Sequence, residues 1–213
     1  MSEINVYNGS IHIINKNVLM CGDIENEDCY KKINIPQNIY MVYSDPPWNP
    51  GNARMWRTLS KKDGDIGRKV NWNNFVERLC THILYTNPKH IFIEMGLQKT
   101  SDFIKQGQSL GFPPIQNIWK VFYNYKNPYN LLYFSEINEF KGNPEGMKNE
   151  YTTKHVFEYI SKPGEIVFDP CIGLGMTLRM AHKFGMSCYG IELNPERLQK
   201  TISWIIKRTN EQI

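Results

Sequence analysis

The sequence predicts an α/β domain with a mainly parallel sheet. Short apolar runs alternate with helical segments of about ten residues, the pattern of strands joined by crossover helices. Two of the runs end in unusual polar turns, Ser44-Asp45-Pro46-Pro47-Trp48-Asn49 and Asp169-Pro170-Cys171-Ile172-Gly173-Leu174-Gly175. At 213 residues one core is readily built, and 41% hydrophobic with 22% charged residues describes a globular chain. With no repeat, low-complexity tract or linker, residues 1–213 read as a single domain.

In chain order, Ile4-Asn5-Val6-Tyr7 and Ile11-His12-Ile13-Ile14 around Asn8-Gly9 predict a hairpin. Asn17 to Cys21 predicts a strand closed by Gly22-Asp23, and a short polar helix follows. Ile39 to Tyr43 is a buried strand leading into Asp45. Residues 49–70 are polar and basic without a clear period, which predicts a long loop. Helical spacing (Phe75, Leu79, Ile83) covers Asn73 to Tyr85. A strand at Ile91 to Met95 and a helix to Leu110, N-capped by Ser101, come next. Residues 115–135 form an aromatic-rich hairpin turning at Asn127-Pro128, expected to serve core packing more than base contact. A polar segment, 136–150, precedes a helix from Thr152 to Ser161. The remaining elements are strand Glu165 to Asp169, helix Met176 to Phe184, strand Ser187 to Ile191 and amphipathic helix Asn194 to Arg208.

Several function classes are set aside. No run approaches the roughly 18 apolar residues of a membrane span. Met1-Ser2-Glu3-Ile4-Asn5 has neither the basic start nor the apolar core of a signal peptide. The five cysteines are scattered without a Cys-x-x-Cys pair, so no metal is expected and reduced thiols in a cytoplasmic protein are. Six basic residues (Arg54, Arg57, Lys61, Lys62, Arg68, Lys69) and two acidic ones lie within 54–69, an excess equal to the whole net charge of +4. That patch reads either as a solvated loop or as a contact for a polyanion such as nucleic acid.

The two turns carry the chemistry. Prolines fix φ and lack N–H groups, so Asp45-Pro46-Pro47 is stiff and rich in acceptors. Asp45 and the Pro46 carbonyl can both accept hydrogen bonds from one amino group, and Trp48 offers a face for its ring. Gly173 and Gly175, between a strand and a helix, let backbone approach a ligand. Glu192 ends the following strand, seventeen residues after Gly175, where an acid accepts from ribose hydroxyls. The missing third glycine disfavours a dinucleotide, and no Gly-x-x-x-x-Gly-Lys-Ser/Thr pattern supports ATP hydrolysis.

From about Asn17 to Ile206, these pieces resemble the S-adenosylmethionine-dependent amino-group DNA methyltransferases of the permuted beta class. In that class the Asp-Pro-Pro-aromatic motif precedes the Asp-Pro-Phe-x-Gly-x-Gly motif, the order found here. The resemblance implies a Rossmann-like class I methyltransferase fold with a seven-stranded, mainly parallel sheet and permuted motif order. It implies that Asp45, Pro46, Pro47 and Trp48 hold and stack the target base. The cofactor would be bound by Asp23 near adenine, Lys154 near the methionine carboxylate, Asp169 near the methionine amine, Cys171, Gly173, Gly175, Glu192 at the ribose, and Asn194. Arg54, Arg57, Lys61, Lys62, Arg68 and Lys69 would contact phosphates.

Three positions depart from the family pattern. Cys171 replaces a Phe that covers the cofactor, and His155 replaces the proline after Lys154. Trp48 replaces the Tyr of most DNA enzymes in the class, and Asp-Pro-Pro-Trp is common in enzymes acting on RNA. The implied activity is adenine-N6 methylation of DNA, with RNA, single-stranded DNA and cytosine N4 as alternatives, or an idle partner subunit. Only 49–70 and 136–150 are long enough to read sequence, so recognition is expected to be short or relaxed, or supplied by a homodimer or partner.

Overall fold

The computed structural model describes residues 5–25, 28–60, 71–124 and 126–210. Eight strands form one sheet in the order β1-β2-β8-β7-β3-β4-β6-β5. These are β1 (Ile11–Ile14), β2 (Asn17–Cys21), β3 (Met41–Ser44), β4 (His90–Gly96), β5 (Ile115–Tyr123), β6 (Asn127–Phe134), β7 (Ile166–Asp169) and β8 (Ser187–Glu192). β2, β8, β7, β3 and β4 run parallel, while β1 and β6 pair antiparallel with their neighbours.

Side chains alternate between two apolar layers, as the pleat requires. Met41, Tyr43 and Phe92 face helices α5 (Asn149–Ile160), α6 (Met176–Lys183) and α7 (Pro195–Asn210), which contribute Phe157, Leu178 and Ile202. Val42, Ile91 and Ile93 face α1 (Cys29–Lys32), α3 (Trp72–Tyr85) and α4 (Thr100–Leu110), which contribute Tyr30, Leu79 and Phe103. The sheet is therefore covered on both faces, as a parallel sheet must be.

The strand order places the two loaded turns together. β3 continues outward to β4 and β7 continues the other way to β8, while β3 and β7 pair with each other through Met41↔Val167 and Val42↔Phe168. At such a switch point the chain leaves the two carboxyl ends on opposite sides and opens a crevice. Asp45 and Pro170 stand at its lip.

Several elements differ from the sequence reading. The sheet has eight strands rather than seven because β1 adds an antiparallel edge to β2. A turn does lie at Asn8-Gly9, with the Ser10 N–H donating to the Tyr7 carbonyl at 2.9 Å, but the described residues before it are not strand; β1 instead forms a hairpin with β2 through Asn15-Lys16, where Asn15 takes φ 54°. Residues Pro50–Ser60 form a helix, α2, rather than loop. Asn49 caps it, its Oδ1 accepting the Asn52 N–H at 2.9 Å, and Pro50 fills the first helical position. α4 begins at Thr100 after a turn of 3₁₀ helix (Leu97–Lys99), so Ser101 lies inside it and does not cap it. The second hairpin does not turn at Asn127-Pro128, because Asn127 and Pro128 already pair with Tyr123 and Phe122. The segment 136–150 buries Phe140 in the core and lies along β5, with the Phe122 N–H donating to the Met147 carbonyl at 2.8 Å.

The turn after β7 needs its glycines. Gly173 and Gly175 take φ 55° and 79°, a region that costs other residues about 1–2 kcal/mol. A Cβ on Gly175 would also lie 2.6 Å from Thr201 Cγ2 on α7. Gly175→Ala is expected to lower stability by about 2–3 kcal/mol, read as a lower denaturant midpoint with unchanged slope.

Candidate active site

A cavity of about 310 Å³ lies in the crevice. Its walls include Gly22 and Asp23 after β2, Asp45 to Trp48 after β3, α2, Pro170, Cys171 and Gly173 after β7, and Glu192 at the end of β8. Both motifs thus open on one space.

Asp169 is the internal tie. It is buried, and its Oδ1 accepts from Ser44 Oγ at 2.8 Å and from the Cys171 N–H at 3.0 Å. Its Oδ2 accepts from Thr177 Oγ1 at 2.6 Å. One carboxyl therefore joins the end of β3, the glycine turn and the start of α6. Burial pushes it up to about 7 against those three hydrogen bonds, with the nearby Asp45 charge adding to the rise. It does not itself line the cavity, whereas Pro170 and Cys171 next to it do.

Asp45 stands at the mouth, exposed on its open side, where Oδ1 accepts the Trp48 indole N–H at 2.8 Å. Crowding by the cavity walls pushes its carboxyl up to about 6, while the indole N–H and the Arg197 guanidinium pull it down. Trp48 stacks on buried Tyr129 (ring centres 5.0 Å apart, planes 23°) and meets Tyr123 edge-on (6.4 Å, 87°). One indole face is thus taken and the ring still borders the cavity. Behind it Glu94, buried on β4, accepts from the Tyr43 hydroxyl at 2.5 Å and from Asn149 at 3.0 Å. Desolvation first, then Asp45, holds Glu94 well above the usual carboxylate range.

At the other end Glu192 accepts the Asn194 N–H on Oε1 at 2.7 Å, and burial raises it as well. Asn194 caps α7, its Oδ1 accepting from the Glu196 and Arg197 N–H groups. Arg197 lies between the Trp56 ring (4.2 Å), Gly173 and Glu192 Oε2 (4.0 Å). Three acids, Asp23, Asp45 and Glu192, line the cavity, with buried Glu94 and Asp169 close to Asp45.

Other expected residues fall differently. Asp23 lines the cavity, but both its oxygens accept from Arg57 at 2.7 Å, and Arg57 also binds Glu25. Arg57 is therefore buried and fastens α2 over the cavity, in place of the phosphate contact expected of it. Lys154 pairs with Glu158 at 3.3 Å on the outer side of α5 and does not line the cavity. Gly175 packs on α7. Arg54 is exposed on α2, and Lys61, Lys62, Arg68 and Lys69 lie outside the described residues. Sequence reasoning missed Arg197, Tyr123 and Tyr129 as neighbours of the site. Only Arg197 had a local signal, its place in the first turn after Glu192. Among the described residues no helix is long and apolar enough to cross a membrane.

Comparison with known proteins agrees with this geometry. Residues 98–203, about half the chain, match the family model described as DNA methylase. The chain belongs to the DNA methylase family. The matched span holds Asp169 to Gly175 and Glu192, and Asp45 to Trp48 lie before it. Among solved structures the methylase fold is similar to M1.HpyAVI (14% identity, 88% of this chain and 97% of that one, TM-score 0.64). It is similar also to TTHA0409 of Thermus thermophilus (15%, 89% and 94%, 0.65). A third is the cytosine-N4-specific PvuII DNA methyltransferase (12%, 87% and 85%, 0.61). At these identities the likeness is one of fold. No curated protein matches.

The raised Asp169 has a consequence for stability. The folded methylase keeps this proton up to about 7, whereas the unfolded chain releases it near 3.8. The contribution is full below the unfolded value and is lost as pH rises through about 7. Denaturation of the free protein across that range is expected to show falling stability, with a shallower fall in Asp169→Asn.

Proposed function

We propose that the protein transfers the methyl group of S-adenosylmethionine to the N6 amine of adenine in DNA. The observation that carries this reading is the single cavity shared by Asp45-Pro46-Pro47-Trp48 and the Gly173–Glu192 wall. S-adenosylmethionine is bound in the solved complexes of M1.HpyAVI and TTHA0409, whose fold this chain shares. It supplies an electrophilic methyl group on a sulfonium centre. The residues present fit it: a glycine at 173 whose backbone borders the cavity beside the Arg197 guanidinium, an acceptor for ribose hydroxyls in Glu192, and Asp23, Asp45 and Glu192 along the wall.

The adenine amine is a poor nucleophile because its lone pair is delocalised into the ring. Asp45 and the Pro46 carbonyl accept hydrogen bonds from it, favour its pyramidal form and stabilise the positive charge that develops. Trp48, backed by Tyr129, supplies a rigid face for the ring. Such an amine is inaccessible within a duplex, so the base leaves the stack, and stacking on an aromatic side chain returns about 1–3 kcal/mol. The aspartate at the head of the motif favours adenine, and with only 49–70 and 136–150 as candidate recognition segments the target sequence is short or relaxed. Cytosine N4 is the second reading, favoured by the shared fold of the N4-specific PvuII enzyme.

Incubation with S-adenosylmethionine and mixed-sequence DNA, single-stranded DNA or RNA, followed by nucleoside mass spectrometry, tests this. N6-methyladenine in DNA is expected, with a loss of about 100-fold or more in Asp45→Ala. N4-methylcytosine would transfer the assignment to cytosine. No methylated base in any polymer would overturn it.

A further inference from the structure

We propose that the Trp48 indole N–H positions the Asp45 carboxylate, engaging Oδ1 and presenting Oδ2 to the target amine. This rests on the methyl-transfer reading and adds to Trp48 a task besides stacking.

The two Asp-Pro turns of this chain show why the task is needed. An aspartate at a turn ordinarily accepts the backbone N–H two residues on. Asp169 does so, from Cys171 at 3.0 Å. At Asp45 the corresponding residue is Pro47 and the one between is Pro46, so neither has an N–H to give. Asp169 is held further by Ser44 and Thr177, whereas the indole at 2.8 Å is the hydrogen-bond donor the structure shows on Asp45. The second proline thus removes the local restraint on the carboxylate, and the residue after it returns one.

The donor is rigid. The indole lies on Tyr129, and a Cβ on Gly96 would come within 2.9 Å of Trp48 Cβ, so the end of β4 fits the Trp48 side chain closely. Tyr129 accepts from Asn149 at 3.2 Å, and Asn149 donates also to Glu94, which binds Tyr43. The orientation of an exposed carboxylate is thereby referred to the buried sheet. A donor on Oδ1 stabilises the charged form and keeps Asp45 an acceptor, a weaker base, while the methyl group is transferred.

The charged and titratable groups facing Asp45 are Arg197 on α7, Glu94 on β4, Asp169 on β7, Tyr129 on β6 and the Cys171 thiol. All are retained in Trp48→Phe, which keeps an aromatic face and loses the N–H. Titration of the Asp45 carboxyl by carbon-13 NMR, without nucleic acid, is expected to shift up by about one pH unit in that variant. The acid limb of kcat/KM is expected to move by the same amount, with activity recovering at high pH. Gly96→Ala, which crowds the indole without deleting it, should shift both in the same direction and serves if Trp48→Phe does not fold. An unmoved carboxyl titration in the folded variants would overturn the proposal. A shifted titration in a protein that methylates nothing would leave the contact standing and overturn the reaction instead.

Discussion

Everything in the site depends on the Asp169 carboxyl. It binds the last residue of β3, 125 residues away, together with the glycine turn after β7 and the first turn of α6 on its own stretch of chain, so both motifs share one buried group. The β3–β7 pairing sets the two turns side by side, and the Ser44–Asp169 hydrogen bond ties their ends just where the pairing stops. A buried carboxyl is costly to ionise, and its raised titration is the sign of that cost. The fold tolerates it because three donors converge on two oxygens.

A second constraint follows from charge. Asp23, Asp45 and Glu192 line the crevice with Glu94 and Asp169 buried behind Asp45, and the described cations on its walls are Arg57 and Arg197. Arg57 serves Asp23 and Glu25, which draws α2 down over the cavity. Arg197 lies against Trp56 of the same helix. The helix that directly follows the Asp-Pro-Pro-Trp turn is thus held by the acids of the crevice it covers. A buried pair of this kind contributes placement more than net stability.

The sheet and both turns were legible because their signals are local. Apolar runs of strand length, proline and glycine punctuation and acids at strand ends need no knowledge of the rest of the chain. α2 was misread as loop because its polar, basic composition hides the inward side of Ala53 and Arg57, although Asn49-Pro50 marks its start. The Arg57–Asp23 pair spans 34 residues and has no local signature, so Arg57 looked like one more phosphate ligand. Lys154 was placed by analogy with a motif whose proline this chain lacks, and it pairs along its own helix. The contact of Trp48 with Tyr129 depends on β6 lying beside β4, which no residue pattern reports.

The most direct measurement is a crystal structure with S-adenosylhomocysteine bound. The account predicts the ligand in the crevice, ribose hydroxyls on Glu192, backbone of Gly173 alongside and the sulfur directed towards Asp45. A ligand bound elsewhere, or a sulfur walled off from Asp45 by protein, would contradict it.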